Sequence, residues 1–91
     1  MPAPRKQISQ EQIDARREFC RAAIALGAIQ RHQMGEYPID TKFEHVCFDG
    51  GVAMQQIPQS PQFVPSFRPV TSAEWIADCK QRGVVAVIPN L

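Results

Sequence analysis

The residues best suited to carry out a reaction are His45 and Cys47. They stand two positions apart in the segment KFEHVCFDGG. Two such residues on one strand share a face, so the imidazole and thiol could act as a base and its nucleophile, or as half of a metal site. A working pair of this kind needs a third group that orients the base, and no such group stands out in the sequence. We therefore expect a polar outer strand face here.

The remaining reactive side chains form no pattern that specifies a reaction. Asp40, Glu44 and Asp49 are the acids nearest to this segment, and no pair of them stands out for acid–base catalysis. The glycines that follow Asp49 lead into a strand, whereas a phosphate-binding loop leads into a helix N-terminus. The histidines and cysteines show none of the spacings of a zinc site. We predict no catalytic residue, no metal and no cofactor, and therefore a protein that is not an enzyme.

A first amphipathic helix is predicted to begin just after Ser9. Ser9 and Gln12 have the spacing of a capping box, in which each side chain accepts a hydrogen bond from the other residue's backbone amide. Apolar residues then recur at helical spacing along one face, and charged residues occupy the other. We predict that the helix ends around Met34, where Gly35 can adopt the left-handed cap. Gly27 would then lie on the buried side, where close approach of another backbone would explain it.

A second helix and a final strand are predicted near the C-terminus. Thr71 and Glu74 form another capping box, and Gly83 is expected to end this helix in the left-handed conformation. The run VVAVI at residues 84–88 is apolar and mostly β-branched. Such a run is typical of a strand that is buried on both faces or nearly so.

Between the helices, the Asp-Gly-Gly sequence predicts a β-hairpin. A three-residue loop at 49–51 would place Val46, Phe48, Val52 and Met54 together on one buried face. A two-residue loop would divide these four side chains between the two faces. Because the buried face sets the register of a hairpin, we predict the three-residue loop.

The predicted order of elements is α-β-β-α-β, and the predicted class is α+β. A hairpin alone is marginal in water, so we expect the C-terminal strand to join it in a small three-stranded sheet covered by the two helices. The 91 residues are enough for one domain. We expect residues 1–8 to form a flexible arm, because they have no apolar pattern to pack, and residues 9–91 to form the domain.

A proline-rich strap, defined here as residues 57–70, holds four of the chain's eight prolines. Repeated proline removes amide donors, so we expect neither helix nor strand in this segment. Two interpretations are open: its phenylalanines fold inward as a lid over the sheet, or they form a binding surface. We expect Phe63 to face inward and Phe67, next to Arg68, to be exposed. The residues predicted to contact a partner are Phe63, Phe67, Arg68 and Trp75.

Basic residues cluster on the arm and along the exposed stripe of the first helix, and the residues predicted to be available for nucleic-acid contact are Arg5, Lys6, Arg16, Arg17 and Arg21. Asp14 and Glu18, however, stand at helical neighbour spacings from two of these arginines, which favours salt bridges on a solvated face. The net charge of +1 argues against both a dedicated nucleic-acid binder and an acidic mimic of nucleic acid.

These observations favour a small protein–protein interaction module, such as an accessory protein, adaptor or inhibitor of the size that bacteria and their phages encode. The alternative is a nucleic-acid-associated protein that uses the arm and the first helix. Three scattered cysteines, no signal-peptide pattern and no apolar run long enough to span a membrane lead us to expect a cytoplasmic protein without membrane contact. A small sheet also has unpaired edge strands, which could pair with a second copy of the chain to form a homodimer.

Overall fold

The computed structural model describes residues 8–57 and 66–90. Within these ranges the chain combines helices with short strands, as predicted, but the strands form two separate three-stranded sheets. The elements, in chain order, are α1 (Gln10–Ala25), β1 (Ile29–Gln30), a 3-10 helix (Arg31–Glu36), β2 (Phe43–His45), β3 (Cys47–Asp49), β4 (Val52–Gln56), β5 (Phe67–Pro69), α2 (Ser72–Arg82) and β6 (Val85–Ile88).

The helix caps predicted at Ser9, Thr71 and Gly83 are confirmed. The Ser9 hydroxyl accepts from the backbone amide of Gln12 at 3.2 Å, and the Ser9 amide donates to the Gln12 side chain at 2.9 Å. Thr71 and Glu74 form the same reciprocal pair at the start of α2. Gly83 ends α2 with φ at +71°, in the left-handed region that favours glycine.

The predicted end of the first helix was wrong. The helix ends at Ala25, well before Met34, because Gly27 takes φ of +114° and turns the chain away from the helix axis. The Ala28 amide then donates to the Ala23 carbonyl at 2.9 Å, which closes the helix end. Gly27 is exposed, so its backbone conformation explains it and close packing of another backbone does not.

The C-terminal strand β6 lies at the centre of a parallel sheet with the order β1-β6-β2. Ile29 of β1 pairs with Val87, and Phe43 of β2 pairs with Val85. The last three residues of β6 are buried, as expected for a strand covered on both faces. This strand does not join the hairpin ladder, because β1 and β2 occupy both of its edges.

The hairpin forms the second sheet, with the antiparallel order β3-β4-β5. Its third strand, Phe67–Pro69, belongs to the strap, so the prediction that the strap contains no strand was wrong for these residues. Proline is tolerated there because β5 lies at the edge of the sheet. The Ile57 amide donates to the Ser66 carbonyl at 2.8 Å, which extends the pairing by one step. Strap residues 58–65, including Phe63, lie outside the described residues.

The hairpin loop has two residues, so the predicted three-residue loop was wrong. Asp49 pairs with Val52, which leaves only Gly50 and Gly51 in the turn. Gly50 has φ of +64°, a positive value at the first loop position as in II′ turns. A Cβ on Gly51 would lie 3.0 Å from the Cα of Gln12, because α1 packs directly on the turn.

The packing of α1 explains this register. The face of the second sheet that α1 covers carries Phe48 and Ala53, whereas Val52 and Met54 point to the other side. A small residue at 53 allows the helix to approach β4 closely. Val46 is buried without belonging to the ladder, because it lies at the break between β2 and β3, where its amide donates to β6 at 3.3 Å.

The main hydrophobic core lies where the two helices meet. Phe19 of α1 packs edge-on against Phe48 with ring centroids 5.7 Å apart, and it packs against the Trp75 ring at 5.8 Å. Ile76 and Cys79 of α2 are buried in the same cluster. Each such aromatic contact adds about 0.5–1.5 kcal/mol beyond the burial of its area.

Candidate functional site

A polar network joins the two sheets to α2, and the half-buried carboxylate of Glu44 on β2 is its centre. Its Oε2 accepts hydrogen bonds from Trp75 Nε1 at 2.8 Å and from Cys79 Sγ at 3.3 Å. Its Oε1 accepts from the guanidinium of Arg82 at 2.8 Å. The three donors follow one another at spacings of four and three along α2, so they share one helix face. Glu44 therefore holds the full length of that face against β2.

Asp78 and Gln55 extend the network to the hairpin sheet. The Asp78 carboxylate accepts from Arg82 Nε at 2.8 Å and from Gln55 Nε2 at 2.6 Å. Gln55 is only 3% exposed, and its Oε1 accepts from the guanidinium of Arg68 at 2.9 Å. A buried amide is stable only when its polar atoms have partners, and Gln55 has partners on both sides. The network thus fixes the position of Arg68 on β5.

The network shifts the pKa values of its members. Burial raises the pKa of Glu44, but the hydrogen bonds that it accepts, above all from Arg82, outweigh burial and hold the pKa below its ordinary value. The hydrogen bond from Arg82 likewise lowers the pKa of Asp78. Burial raises the pKa of the Cys79 thiol to about 12, and its hydrogen bond to the Glu44 carboxylate adds to the rise.

These protonation states suit anchoring and not catalysis. At neutral pH both carboxylates are ionised and accept hydrogen bonds, and the Cys79 thiol is protonated and acts as a donor. A protonated, buried thiol is a poor nucleophile. An acid whose pKa lies far below neutrality is a weak general base. We therefore assign to the network the role of a scaffold that orients β4, β5 and α2.

The surface that this scaffold supports is the face of the hairpin sheet turned away from α1. We call it the outer sheet face and define it by the side chains of Cys47, Val52, Met54, Phe67 and Pro69, which the strand pairing places on one side. The exposed polar residues Asp49 and Gln56 lie on the same side, at the two ends of β4. Val52 is 51% exposed and Phe67 is 46% exposed. Large apolar side chains that stand together in water are unusual unless they bind something.

Two shallow cavities open beside the outer sheet face. The first has a volume of about 250 Å³ and lies among Cys47, Phe48, Met54 and Phe67. The second has a volume of about 290 Å³ and brings His45 to the same side as Cys47. Both cavities border Met54 and Phe67, so together they give the face a concave relief.

His45 and Cys47 are both exposed, and both line the second cavity. They belong to different strands, because the break at Val46 separates β2 from β3. Among the described residues, no hydrogen bond joins the two side chains and no group of three histidine, cysteine or acidic residues could hold a metal ion. The arrangement gives the thiol no oriented base.

The four residues predicted to contact a partner do not form one surface in the described structure. Phe67 and Arg68 are exposed neighbours on β5. Trp75 is only 1% exposed and its ring nitrogen donates to Glu44, so its assignment to a partner surface was wrong. An amphipathic helix buries its largest apolar residue, and Trp75 lies at the contact of α2 with α1. Phe63 lies outside the described residues.

The residues predicted for nucleic-acid contact are divided as well. The Arg16 guanidinium lies over the Phe48 ring, 4.9 Å from its centroid, and is therefore occupied by packing. Arg17 and Arg21 are exposed on α1. Arg5 and Lys6 lie outside the described residues.

The salt bridges expected along α1 do not form within 8–57 and 66–90. The described ion pairs both involve Arg82, and neither Arg17 nor Arg21 takes part in one. The Asp14 carboxylate accepts instead from the Gln10 side chain at 3.0 Å. The two exposed arginines of α1 are thus available to a ligand.

The roles of Glu44, Gln55 and Asp78 in the polar network were not predicted from the sequence. Glu44 was one of three acids that form no recognisable pair in the sequence, and no local pattern marked Gln55. Their roles depend on contacts between residues that lie 11 to 38 positions apart in the chain. One weak sign was present: Asp78 and Arg82 have the spacing of a helical ion pair.

Comparison with models of known families, with curated proteins and with solved structures finds no match to this chain. In the part of the chain that the structure describes, neither helix is long and apolar enough to cross a membrane.

Proposed function

We propose that this protein is a small protein-binding module and that its contact surface is the outer sheet face. The observation that carries the proposal is the distribution of side-chain size along β4, whose larger apolar residues face away from α1. On the outer face Val52 of β4 and Phe67 of β5 are exposed and Met54 of β4 is half-buried, whereas the inner face of β4 buries Ala53 and Gln55. An uncovered apolar cluster of this kind is typical of interaction sites.

Arg68 is the exposed neighbour of Phe67 on the edge strand β5, and although its pairing with Gln55 directs its side chain to the opposite side of the sheet, we propose it as a contact at the edge of the partner surface. Aromatic residues and arginine carry a large share of the binding energy at protein interfaces. Phe67 and Arg68 are adjacent, and the hydrogen bond from Arg68 to the buried Gln55 holds the guanidinium in place. A side chain that is already ordered loses less conformational entropy on binding.

The geometry favours docking on the face of the sheet over strand addition at its edges. The outer strands β3 and β5 have three residues each, which offers few backbone groups to an added strand. Pro69 also lacks an amide donor. A partner would therefore place apolar side chains against Val52, Met54 and Phe67 and fill the concave relief between them.

The nucleic-acid alternative has less support. It rests on Arg17 and Arg21, since Arg16 packs on Phe48, and the net charge is only +1. The placement of the protein in a reducing cytoplasm stays a proposal, which rests on the three scattered cysteines of the sequence.

The test is capture from an extract of the source cells on immobilised protein, with and without nuclease. We compare wild type with Phe67→Ala and Val52→Asp, and we use Ile39→Asp as the matched control because Ile39 is fully exposed and lies off the face. We expect a protein partner that survives nuclease and binds the control normally. Its affinity for each face variant should fall at least about 30-fold, as for loss of a hot spot worth about 2 kcal/mol.

Two further measurements test the proposal: the stability of a face variant, and the accessibility of the face when a partner is bound. Phe67→Ala should change the free energy of unfolding by no more than about 0.5 kcal/mol, as is usual for an exposed side chain. The bound partner should also slow chemical labelling of Cys47, which lies on the face. Equal capture by wild type and face variants, or loss of every partner after nuclease, would contradict the proposal. If the captured protein is a second copy of the chain, the mass in solution will depend on concentration in wild type and not in Phe67→Ala.

A further inference from the structure

Another cavity of the described chain is remote from the outer sheet face. It has a volume of about 390 Å³ and lies between α1 and the β1–β6 edge of the parallel sheet. This volume is within the range of small-molecule sites, about 300–1,000 Å³. The residues that line it are Arg17, Cys20, Arg21, Ile24, Gln30, Ile88 and Pro89.

The charge of this cavity is entirely positive. Arg17 and Arg21 stand one helical turn apart on the rim, and the described lining contains no acidic residue. Within 8–57 and 66–90 neither guanidinium forms an ion pair. Two such groups on adjacent turns match the two oxygens of a carboxylate, because arginine presents its donors as a planar fork.

The floor of the cavity is apolar. Cys20 and Ile88 are almost completely buried beneath it, and Ile24 forms part of its wall with 44% of its surface exposed. Cys20 and Ile24 lie on the same stripe of α1 as the two arginines, because positions 17, 20, 21 and 24 share one helix face. An anionic group can therefore pair with Arg17 and Arg21 at the rim of the cavity. An apolar group attached to it can contact Cys20 and Ile24 inside the cavity.

From this juxtaposition we infer that the cavity is a binding site for a small organic anion, a carboxylate that carries an apolar body of medium length. The carboxylate lies between Arg17 and Arg21, and the apolar body covers Ile24 and Ile88. Nucleic acid is a poorer match, because its phosphates would meet the arginines while its polar sugars would lie over an apolar floor. The inference is independent of the protein-binding proposal. The cavity is formed by α1, β1 and β6, whereas the outer sheet face is formed by β3, β4 and β5.

The test is calorimetric titration with octanoate, with acetate and octanamide as matched probes. Octanoate should bind with a dissociation constant of about 1 mM or tighter, a value within the reach of a ligand of this size. Acetate lacks the apolar body and octanamide lacks the charge, so each should bind at least about tenfold more weakly. Arg17→Gln and Arg21→Gln should each weaken octanoate about tenfold by removing a charge-assisted hydrogen bond. Arg31→Gln, an exposed arginine outside the cavity, should leave binding unchanged.

The position of the ligand is checked by amide chemical shifts in the same titration. Octanoate should shift the amides of Ile24, Gln30 and Ile88 and leave those of β4 and β5 unchanged. The inference is overturned if octanoate shows no saturable binding up to about 10 mM. It is also overturned if octanamide binds equally well, or if the arginine variants retain full affinity while they keep the wild-type melting temperature. Binding of an oligonucleotide that is lost in both arginine variants and is not displaced by octanoate would support the nucleic-acid alternative instead.

Discussion

Replacement of Glu44 by glutamine tests the polar network most directly. The wild-type carboxylate accepts four hydrogen bonds, from Gln55, Trp75, Cys79 and Arg82. The amide of glutamine has the same shape but only one acceptor oxygen, and its nitrogen is itself a donor. Either orientation of the amide places an N–H against another donor, which is Arg82 on one side or the Trp75 indole on the other.

The expected loss is large for a protein of this size. A buried donor left without a partner costs about 1–3 kcal/mol, and each hydrogen bond to a charged group contributes about 1.5–3 kcal/mol. The side chains of Glu44 and Arg82 retain 24% and 31% exposure, so solvent screens part of their attraction. We therefore expect Glu44→Gln to lower the free energy of unfolding by about 2–4 kcal/mol. At about 4–8 °C per kcal/mol, the melting temperature should fall by about 10–30 °C.

The assay is urea denaturation followed by tryptophan fluorescence, because Trp75 is the single tryptophan of the chain and donates to Glu44. Glu36→Gln is the matched control, since Glu36 is exposed and lies in the 3-10 helix, outside the network. The control should unfold as the wild type does. A loss below about 0.5 kcal/mol for Glu44→Gln, within the range of ordinary surface changes, would refute the argument that the carboxylate holds α2 to the sheets.

The same variant makes a prediction about pH. The pKa of Glu44 is lower in the folded protein than in the unfolded chain, where it is about 4.3, so protons bind the unfolded chain more readily. The stabilisation is complete above the unfolded pKa and is lost as the pH falls through the lower folded pKa. Asp78, with its pKa also lowered, acts in the same direction. Wild type should therefore lose stability more steeply than Glu44→Gln as the pH falls from about 5 to about 3. If the stability of the two proteins falls in parallel with pH, the partners of Glu44 do not lower its pKa in the folded state.

Three further measurements test the local structure. Gly83→Ala should cost about 1 kcal/mol in thermal unfolding, because φ is +71° although the space around it is open, and an unchanged melting temperature would argue against the left-handed cap. Gly51→Ala should cost about 1–3 kcal/mol, because the added Cβ would lie 3.0 Å from the backbone of α1, and a stabilised variant would mean that α1 does not pack on the turn. A thiol reagent at neutral pH should label exposed Cys47 rapidly, whereas buried Cys20 and Cys79 should react only after denaturation, and equal rates for all three would contradict the burial pattern.

The orientation of β4 differs from the one predicted from its apolar residues. Val52 and Met54 are apolar, so the sequence predicted them on the buried face, and the three-residue loop followed from that assumption. In the folded chain α1 packs on the turn and selects the side of β4 that carries the small residue Ala53. Val52 is left exposed and Met54 half-buried, and this conflict between pattern and packing is the reason that we propose a binding surface here.

The amino-acid sequence by itself determined the features that depend on neighbouring residues. Both capping boxes, the glycine that ends α2 and the buried C-terminal strand were all predictable, because each signal and the atoms that it satisfies lie within a few residues. The exposure of Phe67 was also expected, because it stands next to the charged Arg68.

Only the tertiary structure decided which strands pair, where the first helix ends and what surrounds Glu44. The helix pattern continues past Gly27, but the chain leaves the helix there so that Ile29 can pair with Val87, far along the sequence. Glu44 meets Trp75 and Arg82, which lie 31 and 38 positions away. Such contacts gain free energy only when the whole chain brings their partners together, and no local pattern of residues encodes that outcome.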